Sequence, residues 1–185
     1  MQIKTLAIFS IFSILFFAGC DSKENKQNDS QPKVEHNITK SDFLLNTLDG
    51  TVLEVKIENN KINIKNYENK IIVINFFATW CPACKVEIPA LVRLQNEYKN
   101  DLTVISVLLE EFKSDEEIKN FIKEFGINYK MTLGSENFDF AKSVGGIKSI
   151  PTTFILDKQG KIYQKIQGLA PYEMIETDIK KVLEK

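Results

Sequence analysis

Two cysteines three positions apart, Cys81 and Cys84, are the residues of this chain best suited to chemistry. A pair at this spacing can close into a disulfide, open to a dithiol and exchange with another disulfide through a mixed disulfide. The pair follows an apolar run, Ile71–Phe77, and precedes a segment with helical spacing, residues 85–99. The sequence therefore indicates redox chemistry where a buried strand meets a helix.

The start of the helix gives the two cysteines different roles. Cys81 falls at the N-terminus, and Pro82 suits the first turn. Unpaired backbone N–H groups and the helix dipole stabilise a thiolate there, so we expect the pKa of Cys81 to lie below the reference value of about 8.5. Cys84 lies one turn further in, where it can resolve a mixed disulfide. The residues between them carry no cation, which favours a reductant or a moderate exchanger.

The sequence gives weaker support for other roles of the cysteine pair. A fixed structural disulfide is disfavoured, because so short a loop gains little entropy by closure. A structural zinc site needs about four N or S ligands. Besides the pair, only Cys20 and His36 remain, both in the N-terminal region. We therefore expect no metal and, without a Gly-rich phosphate loop, no cofactor.

Bulk properties place the chain among ordinary globular proteins. It has 185 residues, 43% of them hydrophobic, and a formal net charge of -1. This length suits one domain with a tail, and the composition suffices for a core. The small net charge gives no sign of a nucleic-acid partner.

The N-terminus has the features of a secretory signal followed by a membrane-attachment site. Residues 5–18 are almost wholly apolar, which is short for a spanning helix and suits the core of a secretory signal. They lead into Phe17-Ala18-Gly19-Cys20, which resembles the lipobox of bacterial lipoproteins, with Phe17 in place of the usual leucine. The resemblance implies that residues 1–19 are removed and that Cys20 carries lipid. An uncleaved anchor helix is the alternative, and both place the domain outside the cytoplasm at a membrane.

The polar segment that follows predicts a tether. Residues 20–40 are rich in Lys, Glu, Asn, Asp, Gln and Ser and cannot bury enough apolar surface to order themselves. We therefore expect one folded domain at residues 41–185.

The folded part alternates strands and helices. Strands are predicted at residues 42–45, 52–57, 61–65, 71–77, 102–109, 152–156 and 161–167. Helices are predicted at residues 85–99, 116–125 and 137–144, and from Pro171 to the C-terminus. Ser114 or Asp115 would cap the helix at residues 116–125, and Gly126 would end it. The pattern predicts an α/β fold in which an N-terminal hairpin precedes a parallel core and a late hairpin adds antiparallel edge strands.

Two stretches resemble the TlpA-like thioredoxin-fold proteins, which are envelope thiol–disulfide reductases that include those serving cytochrome c maturation. Residues 73–91 resemble the active-site stretch of that family, and Ile150-Pro151-Thr152-Thr153-Phe154 resembles its cis-proline loop. The resemblance spans residues 43–183. It implies a thioredoxin fold with an N-terminal β-hairpin extension and a central mixed sheet flanked by helices.

The resemblance also implies roles for single residues. Cys81 would attack the substrate disulfide and Cys84 would resolve the intermediate. Pro151 would be cis and lie against the dithiol, leaving the backbone of Ile150 free to pair with an extended substrate. Trp80 would shield the site. The substrate-binding residues would then be Trp80, Pro82, Ile150 and Pro151.

A carboxylate near the dithiol is the subtler expectation. Glu87 lies three residues after Cys84, and in TlpA-like reductases a glutamate at this offset influences proton transfers of the dithiol. A partly buried carboxylate has a raised pKa and can exchange protons with Cys84. A favourable interaction with the helix dipole is the simpler alternative. Asn75 stands where ordinary thioredoxins carry a buried aspartate, so Glu87 would supply any carboxylate assistance.

The leading hypothesis is a membrane-anchored disulfide reductase. Its partners would be disulfide-containing envelope proteins and a membrane electron donor that reduces the pair again. An oxidant or isomerase for envelope proteins, a copper-delivery module and a thiol peroxidase remain as alternatives. Copper modules prefer a wider cysteine spacing and a distal histidine, and the chain has no histidine beyond His36.

Overall fold

The computed structural model describes residues 41–111 and 113–184. This part of the chain forms eight strands and four helices. The strands are β1 (Ser41–Thr47), β2 (Val52–Glu58), β3 (Lys61–Ile64), β4 (Ile71–Phe77), β5 (Leu102–Leu108), β6 (Lys130–Leu133), β7 (Thr152–Leu156) and β8 (Ile162–Gln167). The helices are α1 (Pro82–Glu97), α2 (Asp115–Phe125), α3 (Glu136–Ser143) and α4 (Tyr172–Leu183).

All eight strands lie in one mixed sheet, in the order β3-β2-β1-β6-β5-β4-β7-β8. The central strands β4, β5 and β6 run parallel, whereas β7 and β8 add an antiparallel pair beside β4. Every residue of β4 and β5 is buried, because both faces of the sheet are covered at its centre. The predicted α/β class, with its hairpin extension and mixed sheet, is confirmed.

The covering elements differ between the two faces. On one face, side chains of β1, β2, β3 and α3 pack against Ile72, Ile74 and Phe76. On the other face, α1, α2 and α4 pack against the alternate residues of β4, which include Val73 and Phe77. This second face carries the dithiol, which packs at the start of α1 in one cluster with Phe77 and Leu108.

The two edges of the sheet come together. The N–H of Ile62 in β3 donates a 2.8 Å hydrogen bond to the carbonyl of Gly160, in the turn between β7 and β8. Lys61 and Lys161 form an isolated antiparallel bridge beside it. The N-terminal strands therefore curl back over the sheet and close one end of the core.

Several local predictions match the structure. Ser114 caps α2 in a capping box with Glu117, and Gly126 ends that helix in a left-handed conformation with φ 62°. α1 begins at Pro82 with Cys81 as its N-cap, as predicted, and contains Pro89. The strand β6 was missed, and with it the pairing of β1 to the central sheet. β6 pairs with β1 and β5, and this pairing is a long-range effect that no local pattern marks.

The expectations for residues 1–40, including the signal, the lipid on Cys20 and the tether, lie outside the described residues. Within residues 41–111 and 113–184, no helix is both long and apolar enough to cross a membrane.

Candidate active site

Cys81 and Cys84 form a disulfide at the start of α1, with 5.3 Å between their Cα atoms. Cys81 is the N-cap residue, and the N–H of Cys84 donates to Sγ of Cys81 at 3.2 Å. Both side chains are buried in the oxidised state. An N–H directed at Sγ stabilises negative charge on that atom, which suits Cys81 to act as a thiolate when the disulfide opens.

The turn before the dithiol is held by backbone and side-chain contacts. The N–H of Cys81 donates to the carbonyl of Ala78 at 3.2 Å. The carboxylate of Glu110, just after β5, accepts from the N–H of Thr79 at 2.9 Å and from its hydroxyl at 2.6 Å. Glu110 therefore fixes the chain where it leaves β4 and enters the site.

The loop that contains Pro151 meets the dithiol. The Ile150–Pro151 peptide bond is cis, and the carbonyl oxygen of Ile150 lies 3.9 Å from Sγ of Cys81. The carbonyl of Pro151 accepts from the N–H of Gly168 at 2.8 Å, which joins this loop to the segment before α4. The structure thus brings Cys81 and Ile150, which are far apart in the sequence, next to each other.

Exposed apolar side chains flank the buried disulfide. Trp80 exposes 64% of its surface and Leu169 exposes 46%. Pro82 and Val86 are exposed on the first turns of α1. We call Trp80, Pro82, Val86 and Leu169 the apolar rim. Exposed apolar patches mark contacts with other molecules, so the rim suits a polypeptide that must approach the dithiol.

Glu87 lies in the core beneath the dithiol with 1% of its surface exposed. Its Oε2 accepts from Nδ2 of Asn75 at 2.7 Å and from the hydroxyl of Thr153 at 3.4 Å. Its Oε1 accepts from the N–H of Ala170 at 2.9 Å. Burial raises the pKa of Glu87 to about 7, and these three donors oppose the rise. A carboxyl with that pKa can gain or lose a proton near neutral pH.

The partners of Glu87 come from a row of side chains across the sheet. Asn75 in β4 pairs in register with Ser106 in β5 and with Thr153 in β7. Nδ2 of Asn75 donates to Thr153 at 3.0 Å, and the hydroxyl of Ser106 donates to Oδ1 of Asn75 at 3.4 Å. Asn75 thus links Glu87 to both neighbouring strands.

The sequence indicated some of this site and missed the rest. Polar residues inside the apolar runs of β4 and β5 were the available signal for the row, and only Asn75 was singled out. Ala170 acts through a backbone N–H, which leaves no trace in its residue type. Glu110 was not identified as a support for the Thr79 turn.

No cation lies between the two cysteines in the sequence. Lys85 follows Cys84 directly but is exposed, with Nζ 5.9 Å from the ring centroid of Phe125. In the part of the chain that the structure describes, no group of three or more His, Cys, Asp or Glu residues could hold a metal ion.

Proteins similar to this chain in sequence are named as thiol-disulfide oxidoreductases. The Redoxin family model matches residues 26–183, which is more than half of the chain. The thiol-disulfide oxidoreductase ResA of Bacillus thuringiensis subsp. konkukian is 32% identical over 126 residues, which is 68% of this chain and 71% of that protein.

Solved structures show the same fold. A thiol:disulfide interchange protein of the thioredoxin family from Chlorobium tepidum superposes with a TM-score of 0.62 at 28% identity, over 77% of this chain and 93% of that one. StoA from Bacillus subtilis superposes with a TM-score of 0.59 at 22% identity, over 77% of this chain and 98% of that one. The chain belongs to the Redoxin family, among its thioredoxin-fold thiol–disulfide oxidoreductases.

Proposed function

We propose that this protein is a membrane-anchored, extracytoplasmic disulfide reductase that acts on envelope proteins. Apocytochrome c is one candidate client, and oxidised partner oxidoreductases are another. The similar proteins support thiol–disulfide chemistry, and the direction of electron flow is argued from the surroundings of the dithiol.

The position of Glu87 is the observation that carries the proposed direction. Glu87 lies one turn beyond Cys84 on α1 and is buried as Cys84 is. Near neutral pH part of the Glu87 population is ionised. A nearby negative charge, without a compensating cation between the cysteines, disfavours a thiolate and therefore favours the disulfide. A couple that favours its disulfide passes electrons to other disulfides.

The proposed reaction conserves electrons and protons. The Cys81 thiolate attacks a client disulfide, forming a mixed disulfide and releasing the first client sulfur as a thiolate that takes a proton from water. Cys84 then loses its proton to the Glu87 carboxylate and attacks Sγ of Cys81. This step closes the Cys81–Cys84 disulfide and releases the second client sulfur as a thiolate, which takes up the proton held by Glu87 and leaves as a thiol. The client gains two electrons, which a membrane dithiol donor restores to the enzyme.

The apolar rim and the cis-proline loop suit a polypeptide client. An extended segment can pair with the backbone at Ile150 while its side chains contact Trp80 and Leu169. The anchor rests on the sequence alone: cleavage before Cys20 and attachment of two or more acyl chains would hold the domain at the bilayer stably.

An oxidant or isomerase on the same site is the second candidate. The N–H of Cys84 that points at Sγ of Cys81 favours it, because stabilising the thiolate makes the disulfide more oxidising. This single neutral donor is also part of any helix start, so we rank the candidate below the reductase.

Trapping the mixed disulfide tests the proposed client class. With Cys84→Ala, Cys81 has no resolving partner, so clients stay covalently attached and can be identified by mass spectrometry after purification from membranes. The matched control is Cys81→Ala, which retains one thiol in the same site.

We expect Cys84→Ala to capture envelope proteins that contain cysteine pairs, and Cys81→Ala to capture far fewer. Equal capture by both variants would contradict the role of Cys81 as the attacking thiolate. Absence of any mixed disulfide with Cys84→Ala would contradict exchange with proteins.

A further inference from the structure

We propose that Tyr129 and Ser106 are positioning residues for Glu87, and that the buried Tyr129 hydroxyl donates to Ser106 and extends the observed chain of donors that ends at the Glu87 carboxylate. This inference rests on the proposed proton-accepting role of Glu87, and it adds two residues that do not touch the dithiol.

The first observation is a buried hydroxyl. Tyr129 lies just before β6, and its ring is partly exposed, lining a cavity of about 260 Å³ between α2 and the β1–β2 turn. Its hydroxyl is buried and forms no hydrogen bond with any described residue. Buried hydroxyls are nearly always paired, so this one calls for an explanation.

Ser106 supplies the neighbouring polar group. Ser106 in β5 pairs in register with Met131, two residues after Tyr129, and it lowers the pKa of Tyr129, although the two hydroxyls do not form a hydrogen bond in the oxidised structure. Burial nevertheless raises the pKa of Tyr129 overall, and the charge of Glu87 adds to the rise. Tyr129 is therefore a neutral donor, and it senses the charge on Glu87.

The two observed hydrogen bonds between Ser106, Asn75 and Glu87 both donate toward the Glu87 carboxylate. The hydroxyl of Ser106 donates to Oδ1 of Asn75 at 3.4 Å, and Nδ2 of Asn75 donates to Oε2 of Glu87 at 2.7 Å. In the proposed chain the Tyr129 hydroxyl donates to Oγ of Ser106. Each donor in such a chain polarises the next, so the last bond, from Asn75 to Glu87, becomes stronger when Glu87 is charged.

The groups that act on the Glu87 carboxylate come from every element packed against it. They are Asn75 from β4, Thr153 from β7 and the N–H of Ala170 before α4. Outside α1, Tyr129 is a titratable side chain whose pKa is raised by the charge of Glu87. On α1, Cys84 becomes a titratable neighbour once the disulfide opens. Substitution of Tyr129 or Ser106 should therefore change the pKa of Glu87.

The experiment is a titration of Glu87 in the oxidised full chain, followed through its ¹³C-labelled side-chain carboxyl. The variants are Tyr129→Phe, Ser106→Ala and the two combined. Each single substitution removes a donor that favours the charged form, so each should raise the Glu87 pKa by a few tenths of a unit. Since either change breaks the same chain, the double variant should shift no further than the larger single shift.

Tyr98→Phe is the matched control, because it removes a tyrosine hydroxyl that bonds to Glu176 at 3.0 Å, away from Glu87. We expect it to leave the Glu87 titration unchanged. An unchanged pKa in Tyr129→Phe would overturn the proposal even if its melting temperature fell, because a merely structural tyrosine would do only that. Additive shifts in the double variant would also overturn it.

Failure of this inference is separable from failure of the proposed function. Reduction of a disulfide substrate such as insulin by the unsubstituted enzyme tests the reductase activity alone. The titration does not depend on that outcome, since it reads a protonation equilibrium in the oxidised state.

Discussion

Glu87 and Asn75 are joined by a 2.7 Å hydrogen bond inside the core, next to the helix turn that carries the dithiol. The bond pairs a carboxylate with a neutral amide, so burial of the charge is compensated by dipoles only. Burial raises the pKa of Glu87 to about 7, because Asn75 and the two other neutral donors offset only part of the cost of burying the charge.

Replacing Glu87 should flatten the pH dependence of stability. The folded-state pKa of about 7 exceeds the ordinary value of 4.5, so the native state keeps a proton that the unfolded state releases between these values. The contribution of Glu87 to stability should therefore be largest below the lower value and fall by about 3 kcal/mol as the pH rises through the window. In Glu87→Gln this fall should vanish. Urea unfolding of the oxidised protein from about pH 5 to about pH 8 measures it.

The control for this experiment is Asp178→Asn, which changes another buried acid, on α4. Because Glu87 is intact in that variant, the fall with rising pH should persist. An equal slope in wild type and Glu87→Gln would contradict the raised pKa.

Removing the exposed indole should weaken client association. Trp80 exposes 64% of its surface beside the dithiol and contributes little to the core. Trp80→Ala should raise KM for a polypeptide disulfide several-fold and leave the unfolding free energy within about 0.5 kcal/mol. Steady-state kinetics and urea unfolding measure the two effects.

Leu44→Ala is the matched control, since Leu44 is 60% exposed but lies on β1 away from the dithiol. It should leave KM unchanged. If both variants raise KM equally, the apolar rim is not the docking surface.

Loss of the Glu110 carboxylate should loosen the turn that leads into the site. Glu110 accepts two hydrogen bonds from Thr79, at 2.9 and 2.6 Å. Glu110→Ala should cost about 1 to 3 kcal/mol of unfolding free energy, because it leaves these donors unpaired, and should slow disulfide exchange. Glu111→Ala, at the exposed next position, should do neither. A Glu110→Ala variant with unchanged exchange rate would show that the Thr79 turn does not need this support.

A methyl group at Gly160 should open the contact between the sheet edges. A Cβ there would lie 2.6 Å from the carbonyl oxygen of Ile62, and the residue has a φ of 75°. Gly146 has nearly the same φ of 76°, but a Cβ there meets nothing within 4 Å. Gly160→Ala should therefore destabilise the protein by at least about 1 kcal/mol more than Gly146→Ala. If denaturant unfolding shows equal losses of unfolding free energy in the two variants, the contact between the sheet edges accommodates the methyl group at no extra cost.

The sequence predicted what local pattern controls. Continuous apolar runs at β4 and β5 predicted buried strands because both faces of the sheet are covered there. Ser114 and Gly126 predicted the ends of α2, since capping depends on residues within one turn.

What the sequence did not show depends on long-range contacts. The strand β6 forms because β5 and β1 supply partners for Lys130–Leu133 on both sides. The backbone N–H of Ala170 reaches Glu87 only after α4 has packed beside α1. Such contacts are set by the fold, and no periodicity in the chain marks them.

The reduction potential of the Cys81–Cys84 couple tests the reductase assignment most directly. It is measured by equilibrating the full chain with a glutathione or dithiothreitol redox buffer and separating the oxidised and reduced forms. With a buried carboxylate beside Cys84 and no cation between the cysteines, we expect a value more negative than about -200 mV at neutral pH. A value less negative than that, toward the roughly -120 mV of strong oxidants, would contradict the assignment.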